Sequence, residues 1–158
     1  MQKKHPPTST FSARRSPEGR RRVKPTTLMP YLRPFLFAML TFTVLDLLWL
    51  GYVGRGLYEK YLDHHMRAQT DWLAAILFYF IFLAGLVYFV VLPAQTPTQA
   101  LARGAFFGLV TYGTYDLTNR AVIQNWPWPI AIIDIVWGIF LCAVVSWVSY
   151  RYGMPQSK

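Results

Sequence analysis

Twenty-one consecutive residues, Trp72 to Leu92, carry neither a charge nor a proline. As a helix rising 1.5 Å per residue, such a run spans about 31 Å, the thickness of the hydrocarbon core of a bilayer. Inside that core no water is available to the backbone, so the segment must satisfy its own N–H and C=O groups as a helix. Three further apolar runs follow the same rule: Phe35 to Tyr52, Ile130 to Tyr150, and a more polar one from Leu101 to Thr118. Composition agrees, with 54% hydrophobic and 15% charged residues, where a soluble domain carries roughly a quarter charged. The expected fold is an all-α, four-helix transmembrane bundle over residues 31–152, with spans at about 35–52, 72–92, 101–118 and 130–150.

The formal net charge is +9, and most of it is placed before the first span. Nine of the 16 basic residues lie between Lys3 and Arg33, opposed there only by Glu18. Residues 1–30 are rich in Pro, Ser, Thr, Arg and Lys and hold too few large apolar side chains to order themselves. A disordered basic cytoplasmic tail, drawn to anionic lipid heads rather than to nucleic acid, is the expectation. The stretch from Met29 onward reads as a natural start, and residues 153–158 as a short second tail. The positive flank before helix one, against a first loop balanced by Glu59, Asp63 and Asp71, places both termini in the cytoplasm.

Three of the seven acidic residues, Asp46, Asp116 and Asp134, fall inside the expected spans. A carboxylate at membrane depth costs about 2.5–3.5 kcal/mol to insert and marks a functional site by default. Asp46 lies six residues before the outer end of helix one, about 9 Å deep, and Asp134 four residues into helix four, about 6 Å deep. Asp116 is similarly close to the outer end of helix three, so three helices bring carboxylates to one level. Residues three or four apart share a helix face. Asp46 thus goes with Trp49, Asp116 with Tyr112, Asn119 and Arg120, and Asp134 with Trp137. Asp116 and Arg120 stand in the acid-before-base order that lets a pair satisfy itself. Structural glue between helices is the plain alternative for each carboxylate alone. Gly104 and Gly108 form a GxxxG step, which lets a neighbouring backbone, of this chain or a second copy, approach closely.

Other chemistries find no footing. His5, His64 and His65 lie in the tail or first loop, away from the membrane depth where haem ligands would stand. Adjacent histidines beside Asp63 lack the spacing that converges on one metal. One cysteine, Cys142, excludes an internal disulfide or CxxC pair. Gly51, Gly54 and Gly56 are followed by no Lys-Ser/Thr, and Ser146 and Ser149 have no histidine partner. No cofactor or metal is expected.

The combination Asp46-Leu-Leu-Trp-Leu-Gly51, Gly104-Ala-Phe-Phe-Gly108, Tyr115-Asp-Leu-Thr-Asn119, Trp126-Pro127 and Asp134-Ile-Val-Trp-Gly138 resembles an uncharacterised family of small bacterial membrane proteins, a domain of unknown function. The resemblance covers about Tyr31 to Tyr152. It implies a multi-pass protein of the bacterial inner membrane and brings no activity with it. Three functional readings stand beside it. The first is a small transporter or ligand-binding bundle, in contact with lipid and forming a homo-oligomer, whose aspartates take a proton, a cation or a small apolar or cationic ligand near the outer face. The second is an intramembrane lipid isomerase or cyclase that uses the aspartates as acid and base. The third is a non-catalytic accessory subunit. The first leads, which makes an enzyme the lesser expectation.

Overall fold

The computed structural model describes residues 29–54, 56 and 69–155. Among them run four long helices and no strand. Helix α1 (Met29–Leu48) is prolonged by a π-helical segment, Trp49–Gly54, and α2 (Trp72–Leu86) by another, Val87–Val91. Helix α3 is Pro97–Val122, and α4 (Trp128–Val148) continues as the π-helical Ser149–Gly153. Three segments are long and apolar enough to cross a membrane: Tyr31–Tyr52, Trp72–Val91 and Trp128–Gly153. Helix α3 has 26 residues, ample length, but a more polar sequence. The basic tail and the His64–His65 loop lie outside the described residues. Met29 and Pro30, assigned above to that tail, belong to α1.

Local signals set the helix ends. The Asp71 carboxylate caps α2 by accepting from the Ala74 N–H at 3.1 Å. Thr96 caps α3 by accepting from Gln99 N–H at 3.1 Å, while the Gln99 side chain reaches back to the Gln95 N–H. Pro97 takes the first helical position, where a missing N–H costs nothing. Between α3 and α4 the chain turns at Asn125, with φ 64°, a left-handed conformation that asparagine tolerates.

Proline favours a helix entrance, but Pro34 lies inside α1. The far end of α4 holds it. Ser149 Oγ donates to the Pro34 carbonyl at 2.7 Å, and both residues are buried. Gly153 lies so close that a Cβ there would come within 2.5 Å of Pro34 Cα. The first and last helices are therefore locked at the end that carries the described amino and carboxyl termini.

The apolar core occupies that same half, where Ala38 and Phe42 of α1 meet Leu83, Leu86 and Val91 of α2 and Leu141, Cys142 and Val145 of α4. The most extensive helix pair is α3 with α4. A Cβ on Gly104 would collide with the Cys142 carbonyl and Ser146, and one on Gly108 with the Gly138 carbonyl. Gly138 in turn leaves room for the Tyr112 ring. Three glycines thus let two backbones touch, which is how helices associate where lipid removes the hydrophobic drive between them. The outer faces are apolar: Leu40, Leu47, Leu73, Ile81 and Phe89 are all more than 60% exposed. A water-soluble monomer does not display that much apolar surface.

Candidate functional site

The carboxylates within the helices, Asp46, Asp116 and Asp134, stand toward the end of the bundle away from the described termini. On α3, Asp116 is fully buried, with 0% of its surface exposed. Its carboxylate stands beside the Asp134 carboxylate of α4 and the Trp126 indole of the connection before that helix. Neither Asp116 oxygen makes a well-aligned hydrogen bond, and neither does the Trp126 indole N–H. A buried carboxylate in this condition is unusual, because leaving a charged group unsatisfied costs more than a lost hydrogen bond.

Arg120 does not neutralise it. The i,i+4 order suggested a pair, but Arg120 Nη1 donates to the Trp126 carbonyl at 2.5 Å, and its guanidinium lies 5.3 Å from the centre of the Trp128 ring. The physical reason is the turn. The tight α3–α4 connection leaves that carbonyl without a helical partner, and a cation near the carboxyl end of α3 serves it well. Asn119 is likewise turned aside, standing next to the Tyr115 hydroxyl.

Asp134 is half-buried and opens onto a cleft of about 370 Å³ between α2, α3 and α4. Phe78 and Phe82 of α2, with Thr111, Tyr112 and Tyr115 of α3, form the remaining walls. One wall of the cleft is thus acidic and four are aromatic.

Asp46 has a different neighbour. Its Oδ2 accepts from the Tyr79 hydroxyl of α2 at 2.5 Å. Tyr79 sits edge-on to Phe42, with ring centroids 5.5 Å apart. Below Asp46, Trp49 stacks flat on Trp137 of α4, and neither indole N–H has a partner. The structure therefore brings Asp116 and Asp134 together with Trp126, and joins Asp46 to Tyr79. The sequence did not place Tyr79 or Trp126 among the site residues. Tyr79 was findable: it lies seven residues beyond Trp72, about 10 Å down α2, the depth already assigned to Asp46. No three His, Cys, Asp or Glu side chains converge on a metal position among the described residues.

Helices of bilayer length, apolar outer faces and carboxylates enclosed between helices define a multi-pass integral membrane protein. The chain belongs to the family described as Predicted membrane protein (DUF2177), whose model matches residues 31–151. Among curated proteins and among solved structures, none matches it.

Proposed function

We propose that this protein binds a small organic cation, an ammonium group carried on a compact apolar body, in the cleft in front of Asp134. The observation that carries this reading is the pairing of buried Asp116 with half-buried Asp134 at the edge of an aromatic cleft. Two carboxylates this close in a medium of low dielectric repel strongly, and one positive charge relieves the repulsion. Aromatic faces supply the rest. A desolvated cation over a ring gains about 2 kcal/mol, and rings arranged around a quaternary ammonium form a known recognition cage. A proton would serve the pair equally well, so cation and proton compete for it, which is the elementary requirement of proton-linked exchange.

The same reading includes α3 as a fourth span. At 1.5 Å per residue its 26 residues reach about 39 Å. Its charged mid-helix residue and its small residues face inward, since Gly104, Gly108 and Asp116 are buried, and much of its outer face is apolar, with Phe106, Leu109, Val110 and Leu117 exposed. An even number of spans keeps both termini on the positively flanked, cytoplasmic side of a bacterial inner membrane, with the carboxylates near the outer face. The GxxxG step is occupied by α4, so a second copy would need another face.

Tetraethylammonium is a suitable probe. The full chain in lipid nanodiscs should bind it, with a change in tryptophan fluorescence, and acidification should weaken binding as protons take the pair. Asp134→Asn should abolish binding while leaving the helical circular dichroism unchanged. Equal binding by wild type and Asp134→Asn, or none by wild type, refutes the reading.

A further inference from the structure

A second groove lies on the outside of the bundle, remote from the carboxylates. It has a volume of about 570 Å³ and runs between the end of α2 and the first half of α3, lined by Phe89, Val90, Arg103, Phe106, Phe107 and Val110. Arg103, Phe106, Phe107 and Val110 are spaced to share one helix face. Phe89 and Phe106 are each 67% exposed. Arg103 is exposed and has no ionic or hydrogen-bonded partner among the described residues. It lies six residues into α3, near the membrane surface, while Val110 lies two turns further, about 10 Å deeper. One end of the groove is therefore cationic and wet, and the rest is apolar and faces hydrocarbon.

We infer that this groove is a binding site for one anionic phospholipid, its phosphate on Arg103 and one acyl chain laid along Phe106 and Val110. The argument is charge complementarity over a shaped apolar trough. A guanidinium offers a fork of N–H donors that matches phosphate geometry, and that of Arg103 has no partner among the described residues. An annular lipid held by greasiness alone would need no such charge. Arg103 is at the end of the bundle that carries the termini, the side where the proposed topology places the cytoplasmic leaflet and its anionic lipids. The inference rests on α3 lying in the membrane, as proposed above, and is independent of the cation cleft.

Native mass spectrometry of the full chain from a neutral detergent, offered equal phosphatidylglycerol and phosphatidylcholine, tests it. Wild type should retain one phosphatidylglycerol in preference to phosphatidylcholine. Arg103→Gln should lower that retention about fivefold, the size of effect of one basic residue at an anionic surface. Val110→Trp, which fills the trough and leaves the charge alone, should lower it too, while Arg33→Gln should not. Equal retention of the two lipids, equal losses from Arg33→Gln and Arg103→Gln, or full retention by Val110→Trp overturns the site. Reporter fusions that place α3 outside the membrane would remove its premise, and that result is distinguishable from a failure of lipid selectivity.

Discussion

The indole of Trp49 on α1 lies flat against that of Trp137 on α4, with ring centroids 4.4 Å apart and planes within 10°. It ties the first helix to the last at the margin of the apolar core, against which Trp137 itself packs. Stacked aromatic pairs contribute about 0.5–1.5 kcal/mol beyond the area they bury. Trp137→Leu should therefore lower thermal stability in detergent modestly. A loss as large as that of a core truncation, 2–5 kcal/mol, would show that Trp137 does more than stack.

The glycine seam makes a sharper prediction. Gly108→Leu places a branched side chain against the Gly138 carbonyl, and overpacking of this kind costs about 1–3 kcal/mol or more. Gly113→Ala is the control, since a Cβ there meets nothing within 4 Å. Melting in detergent should fall by several degrees for the first and stay level for the second. Equal melting of the two variants would contradict the close approach of α3 to α4.

Asp116→Asn should leave stability level or raised. The carboxylate makes no aligned hydrogen bond that the amide would lose, and the change removes half of a like-charge pair. Arg120 is not stranded, because it is bonded to the Trp126 carbonyl. Arg120→Ala, by contrast, should lower the melting temperature, as hydrogen bonds to charged groups contribute about 1.5–3 kcal/mol. The reverse order of the two variants would restore an Asp116–Arg120 ion pair.

Tyr79→Phe deletes the donor to Asp46 and little else. Interhelical hydrogen bonds in membranes average about 0.6 kcal/mol and reach about 1.7, so a small but measurable drop in melting temperature is expected. Asp46→Asn keeps an acceptor for the Tyr79 hydroxyl and should cost less than Asp46→Leu. Similar losses for Asn and Leu would mean that the charge, not the hydrogen bond, is what α1 needs.

Topology is checked with reporter fusions. Fusions at Met29 and Gln156 should report cytoplasmic, and one between Asp63 and Arg67 should report the opposite side. A cytoplasmic signal from that loop would reverse the face on which the cleft opens.

The apolar helices were legible because hydrocarbon imposes a length and forbids charge, and Trp72–Leu92 meets both demands in one run. The GxxxG spacing identified Gly104 and Gly108, but not Gly138, whose role exists only once α4 lies against them. The Asp-x-x-Trp pattern shared by α1 and α4 was visible as text, and the meeting of its two tryptophans was not. Arg120 misled because the i,i+4 rule describes an isolated helix, whereas here a nearby turn presented a carbonyl in need of a donor. A hydroxyl inside an aromatic run carries no local signal, so only the depth of Tyr79 along α2, matching that of Asp46, points to it. The setting of Pro34 has no local sign, since its neighbours, Ser149 and Gly153, come more than a hundred residues later.

That last distance sets the order in which the molecule can be completed. Ribosomes add about 5–20 residues per second, so Ser149 is made roughly 6–23 s after Pro34, which is 115 residues ahead of it. α1, complete at Leu48, is thus made long before the partner that finally clasps it. Its exposed leucines suit lipid well enough to wait. The lock between the two ends of the bundle is thus the closing event of assembly, and the first helix made is among the last to find its place.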